Sequence, residues 1–167
     1  TWTVITHSVT YALGGGSGTV PTQGVVAEGS SFIVASSAGI TRAGFTFNNW
    51  FDGTTGYAPG ASYIMGTSTV TLTATWTAIT HSVTYALGGG TGTLPTQPVV
   101  AEGSSFIVAS SSGITRTGYT FNNWSDGSTG YAPGSGYIMG TSNVTLTATW
   151  TAITHTVTYA LGGGTGT

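Results

Sequence analysis

Val70-Thr71-Leu72-Thr73-Ala74-Thr75-Trp76 alternates apolar and hydroxyl side chains without a break, and the same seven residues return as Val144–Trp150. Alternation with period two reads as a β-strand with one face buried. The return is not local. Thr10-Tyr-Ala-Leu-Gly-Gly-Gly16 recurs as Thr84–Gly90 and Thr158–Gly164, again at an offset of 74 residues. Aligning 1–74 with 75–148 needs no gap, and 62 of the 74 positions are identical. A fixed register without insertions marks an array. At this length each unit is large enough to fold alone, so beads fit better than a continuous solenoid.

Within one unit, Val9, Tyr11 and Leu13 share a parity, which makes a half-buried strand. Gly14–Gly18 and Pro21 break it; Val25-Val26 and Phe32-Ile33-Val34 follow as short runs about the Glu28-Gly29 turn. Phe45, Phe47 and Trp50 form the next segment, ended by Asp52-Gly53. The stretch from Gly53 to Gly66 holds four glycines and a proline, which makes a helix costly there. It reads as a loop anchored by Tyr57, Tyr63 and Met65. The expected core is Tyr11, Leu13, Phe47, Trp50, Leu72 and Trp76, with Tyr85, Leu87, Phe121, Trp124, Leu146 and Trp150 one period later.

Parity also places the joints. Val70, Leu72, Ala74 and Trp76 are even, whereas Ile79, Val83, Tyr85 and Leu87 are odd. One uninterrupted strand cannot bury both sets, so the phase slips near Thr77-Ala78 and again near Thr151-Ala152. The domains expected are 1–3 as the tail of a preceding repeat, 4–77 and 78–151 as two repeats, and 152–167 as the first strand of a third. On this reading the sequence is a window onto a longer polymer. No Gly-, Pro- or Ser-rich spacer separates the beads, so a short, stiff link and an extended rod are expected.

Four ordered blocks, Val83–Pro95, Val100–Phe106, Arg116–Trp124 and Tyr137–Trp150, resemble the Listeria–Bacteroides repeat, also called the internalin B-repeat. Counterparts lie one period earlier, and the likeness covers essentially the whole chain. It implies β-grasp-like beads found in tandem on bacterial and some archaeal surface proteins and adhesins, and it lends no catalytic residues. Where a β-grasp helix would lie, this chain is glycine-rich. The fold class expected is therefore mainly β, as small β-grasp-like domains with the helix short or absent.

The composition excludes several roles. Only 4% of the 167 residues are charged, against roughly 25% in ordinary soluble domains. Thr (35), Gly (28) and Ser (18) supply nearly half of the chain. Two arginines and no lysine cannot neutralise a run of phosphates, so no nucleic-acid partner is expected. No apolar stretch has the length of a membrane-spanning helix, so membrane insertion is not expected either. Without cysteine there is no disulfide, thiolate zinc site or thiol nucleophile. A mean hydropathy of +0.22 with 11% aromatics supplies apolar surface to bury, which argues against disorder.

Candidate ligand-binding residues are Trp50 and Tyr57, with Trp124 and Tyr131, which beside Asn48 and Asn49 could form an aromatic platform for sugars. The plainer reading is that Phe47 and Trp50 fill a small core. His7, His81 and His155 come once per repeat, too far apart to share a metal. Glu28, Arg42 and Asp52 are the only charges of the first repeat, and an arginine–carboxylate pair holding loops is their expected use. No cofactor, metal site or catalytic group is expected. A surface with so little charge has little to oppose lateral or edge-to-edge pairing. Thr71, Thr73, Thr75 and Thr77 are expected to face outward, toward neighbours. The reading is a non-catalytic structural repeat of an extracellular fibre, sheath or adhesin stalk at the cell surface, with copies of itself as partner. The alternative is a module binding surface glycans or a receptor through its aromatics.

Overall fold

In the computed structural model, residues 1–164 and Gly166 are described, and among them there is no helix. None is therefore long and apolar enough to cross a membrane. The chain is all-β, built from small repeated sheets, and it divides into two compact units. One comprises Thr1–Thr80 with Ala101–Gly103, the other His81–Val100 with the chain from Ser104 onward.

The first ten strands are β1 (Thr6–His7), β2 (Val9–Ala12), β3 (Ser17–Gly18), β4 (Val26–Ala27), β5 (Ser31–Ile33), β6 (Ile40–Thr41), β7 (Phe45–Phe51), β8 (Gly56–Tyr57), β9 (Ser62–Ile64) and β10 (Val70–Ala78). Ten more follow in the same order. They are β11 (Thr80–His81), β12 (Val83–Ala86), β13 (Thr91–Gly92), β14 (Val100–Ala101), β15 (Ser105–Ile107), β16 (Ile114–Thr115), β17 (Tyr119–Ser125), β18 (Gly130–Tyr131), β19 (Gly136–Ile138) and β20 (Val144–Ala152).

Each unit is organised by one four-stranded sheet, in the order β2-β10-β7-β8 or β12-β20-β17-β18. β10 lies parallel to β2, with Val70 opposite Val9 and Leu72 opposite Tyr11, and antiparallel to β7. It is thus the central strand, which is why its alternation is so regular: Leu72 and Ala74 are buried beneath the sheet. The threonines alternate with them and take the opposite face of the strand. Thr71 and Thr77 are exposed, but Thr73 and Thr75 are half-covered, and β2 and β8 form the edges.

Phe47 and Trp50 have opposite parity, yet both rings enter the core. A β-bulge makes this geometry workable. Trp50 pairs with Ala74, Asn49 with Thr75, and Phe47 with Trp76, which leaves Asn48 as the extra, exposed residue. The Thr75 hydroxyl fastens the bulge, donating to Asn49 Oδ1 at 2.7 Å and accepting from the Asn49 N–H at 3.3 Å. Thr149 and Asn123 repeat the arrangement in the second unit.

Ten buried apolar residues make each core, and every one in the first unit has an identical counterpart 74 residues later. Tyr11, Trp50 and Leu72 are buried, as are Tyr85, Trp124 and Leu146; Leu13, Phe47, Trp76, Leu87, Phe121 and Trp150 are half-buried against them. All twelve positions that differ between the repeats lie outside these buried sets.

Two features depart from the sequence reading. Gly53–Gly66 is not simply a loop: it carries β8, which pairs with the end of β7, and β9, which pairs with β5. Ser62 and Ile64 turn outward while Tyr63 is half-buried against Phe32, a strand pattern that the flanking glycines conceal. The strand expected at the start of a third repeat, within 152–167, is also not formed over residues 153–164. The equivalent strands β2 and β12 are held by partners far downstream, β10 and β20. The adjoining glycine turn forms without help. Gly162 and Gly163 keep φ values of 56° and 93°, and Gly164 donates to the Leu161 carbonyl at 2.9 Å.

Candidate functional site

Trp50 and Trp124 have 0% exposure, so neither offers a ring face to a sugar, and the platform expected of them is corrected accordingly. Each indole is held from two sides. Trp50 meets Tyr11 edge-on at 4.7 Å, and its Nε1–H donates to the Ala35 carbonyl at 3.0 Å. The Tyr11 hydroxyl accepts from the Ala35 N–H at 2.9 Å. Both backbone groups of an irregular residue are thereby satisfied by aromatic side chains, as burial requires. Tyr85, Ala109 and Trp124 repeat this triad. Asn49 serves the bulge, so it too is structural.

Tyr57 and Tyr131 are half-buried and packed at 4.8 Å against Tyr63 and Tyr137. The Tyr131–Tyr137 pair leads to a polar concavity of the second unit. It is an open cleft of about 330 Å³ lined by Asp126, Ser128, Tyr137, Ser142, Asn143 and Thr145. Asp126 Oδ1 accepts from the backbone N–H groups of Ser128 and Thr129 at 2.9 and 2.8 Å and from the Ser128 hydroxyl at 2.8 Å. Its Oδ2 accepts from the Tyr131 hydroxyl at 3.3 Å. Asn143 Oδ1 accepts from the Ser82 N–H at 2.9 Å. Asp52 does the same work in the first unit, with Thr54, Thr55 and Tyr63. Sequence reading saw only an Asp-Gly turn here. The signal it lacked was the pairing of β8 with β7 and of β9 with β5, which brings the tyrosines over.

Backbone donation from Thr129 and Ser128 outweighs desolvation and holds the Asp126 carboxyl down at about 2. At Asp52, desolvation opposes the shift, yet the bonds from Thr55 and Thr54 still lower it. Desolvation first, then the Asp126 charge, raises the hydroxyl pKa of Tyr131 and Tyr137. The folded chain therefore holds the aspartate proton less tightly than the unfolded chain does. The stabilisation from these turns is complete above about pH 4 and is lost as pH falls toward about 2. Thermal melting across that window is expected to show a falling midpoint, and Asp126→Asn is expected to flatten part of the fall. A midpoint level from pH 5 to 2 contradicts this.

The remaining charges are also structural. His7 Nε2 lies 3.2 Å from Glu28 Oε2, bridging β1 and β4. Pairing of arginine with Asp52 or Asp126 is not found; both carboxylates are occupied by their turns. Arg42 instead stacks over the Phe45 ring at 3.9 Å and Arg116 over Tyr119 at 3.8 Å, the cation–π geometry that suits a planar guanidinium. Asp52 and Asp126 thus act as turn acceptors, and Glu28 as a histidine's partner.

The repeat architecture agrees with comparison to known proteins. The family model described as Listeria-Bacteroides repeat domain matches twice, over residues 7–75 and 81–149. A protein of Evansella cellulosilytica named "Putative Gly-rich membrane protein" is 30% identical over 160 residues, covering 88% of this chain. The chain spans 18% of that relative's length. No solved structure matches the chain. With two tandem matches accounting for most of its length, the chain belongs to the Listeria–Bacteroides repeat domain family.

Proposed function

We propose that this chain is a structural stretch of a surface-exposed repeat protein, non-catalytic and self-associating, of the kind that builds a fibre, sheath or adhesin stalk outside the cell. The observation that carries the reading is the contrast between interior and surface. Each unit has a complete aromatic core, while the chain carries only two arginines, two aspartates and two glutamates. Little electrostatic repulsion opposes contact between copies. The membrane-protein name of the longer relative, and its glycine-rich character, support a surface location for the array. Absence of lysine, with both arginines half-buried, leaves trypsin-like proteases few openings.

A second reading, glycan binding, is favoured by the polar cleft at Asp126, where Tyr137, Ser142 and Asn143 converge. Electron microscopy of the purified chain separates the two. Regular filaments at low and high salt alike are expected from the structural reading. Dispersed particles, together with binding on a glycan array that Asp126→Ala abolishes, would replace it with the second.

A further inference from the structure

Resting on the structural reading above, we infer that the parallel β2–β10 ladder, with its equivalent β12–β20, is a clamp that bears tension along the chain. A covalent array under tension loads every unit through its two chain ends, whatever the disposition of its neighbours. In the first unit those ends lead into β2, just after the short β1, and out of β10; β2 and β10 lie side by side. Because the two strands are parallel, pulling β2 by its leading residue and β10 by its trailing residue slides one along the other. All the hydrogen bonds of the ladder are then strained together. Antiparallel neighbours in these places would begin and end at one edge, and the same pull would unzip them bond by bond.

What crosses the ladder suits that load. Four residue pairs, from Val9 with Val70 to Ala12 with Thr73, join the backbones. The Val70 N–H adds a bond to the Ser8 carbonyl at 3.1 Å, and the hydroxyls of Thr10 and Thr71 meet at 2.9 Å on the outer side. Val9, Tyr11 and Leu72 are buried on the inner side, which keeps water from replacing a strained bond. Beyond the ladder, the Trp76 indole donates to the Leu13 carbonyl at 2.9 Å and ties the trailing half of β10 to the turn after β2.

The second unit repeats this set, with Thr84 and Thr145 at 2.8 Å and Trp150 on the Leu87 carbonyl at 2.9 Å. It also adds a bond. The Ser82 N–H donates to Asn143 Oδ1 at 2.9 Å, at the leading end of the ladder, where the first unit has Thr69.

Cysteine is absent, so two introduced thiols give unique handles on the whole chain. Ser8→Cys with Thr77→Cys pulls the β2–β10 ladder in shear, whereas Ser8→Cys with Ser68→Cys pulls it open from one end; all three positions are exposed. Both variants are expected to melt with the unsubstituted chain, so a difference in lifetime reports geometry. In optical tweezers at one constant force, the shear pair is expected to hold on the order of a hundredfold longer, since about three more hydrogen bonds must break together at roughly fivefold each. In the second unit, with Ser82→Cys and Thr151→Cys as handles, Asn143→Thr is expected to shorten the lifetime about fivefold. Equal lifetimes in the two geometries overturn the clamp, and so does a second unit indifferent to Asn143→Thr. Equal lifetimes in a chain that still forms filaments leave the fibre reading standing. The longer shear lifetime in a chain that forms none removes that reading and keeps the clamp.

Discussion

Trp124→Ala is expected to cost about 3–5 kcal/mol, the range for emptying a buried aromatic site. Three losses combine in it. The ring is fully buried, so its removal leaves a cavity among Tyr85, Phe121 and Leu146. Edge-on contacts at 4.7 Å to Tyr85 and 5.4 Å to Phe121 disappear. The Ala109 carbonyl loses the indole donor at 3.0 Å and is left short of a partner in a half-buried site. Domains of ordinary size hold only ~5–15 kcal/mol in total, so this one change consumes a large share of it. Chemical denaturation followed by far-UV circular dichroism reads the effect. Trp124→Phe, which keeps an aromatic ring but not the N–H, is expected to cost less. If Trp124→Ala left the transition where it was, the core assignment would be wrong.

Gly88→Ala is expected to be comparably damaging, for a different reason. Gly88 has φ +57°, where a β-carbon costs about 1–2 kcal/mol on its own. Here the added carbon would also stand 1.9 Å from the Ala148 carbonyl oxygen, on the central strand β20. Neither group is the end of a flexible side chain, so backbone must move. The β12–β20 pairing that closes the sheet lies directly beside it. The combined cost is expected to be on the order of 4 kcal/mol or more, in the range reserved for strain against packed backbone. Gly103→Ala isolates the conformational part: its φ is +74° with nothing within 4 Å, so no steric cost is added. Equal effects from the two substitutions would show that the close approach at Gly88 is not what constrains it.

What could be read in advance was what short-range pattern encodes. The β10 sequence announces itself because its neighbours on both sides let Leu72 and Ala74 face one core without a bulge between them. The glycine turn is equally local, and it forms at Gly162-Gly163 even where no adjoining strand does. Pairing across distance was not legible. Ile33 read as part of an apolar run, whereas its pairing with Ser62 turns it to solvent. Trp50 was legible as core, but nothing nearby in sequence shows that Tyr11 and Ala35 are what close over it. The bulge did leave a trace, in the odd spacing of Phe47 and Trp50. That conflict of parity could have been taken as its signature. The aspartate turns left only an Asp-Gly pair, because the tyrosines that complete them arrive on strands hidden among glycines.

We propose that copies of this chain hold together through apolar and hydrogen-bonding surface, with charge playing almost no part. Static light scattering of the unsubstituted chain, over a concentration series repeated from low to high salt, tests it most directly. Average mass is predicted to climb with concentration along curves that coincide at every ionic strength, since only 4% of residues carry charge. A constant mass of 16.8 kDa throughout, or complexes that dissolve as salt is raised, would contradict it.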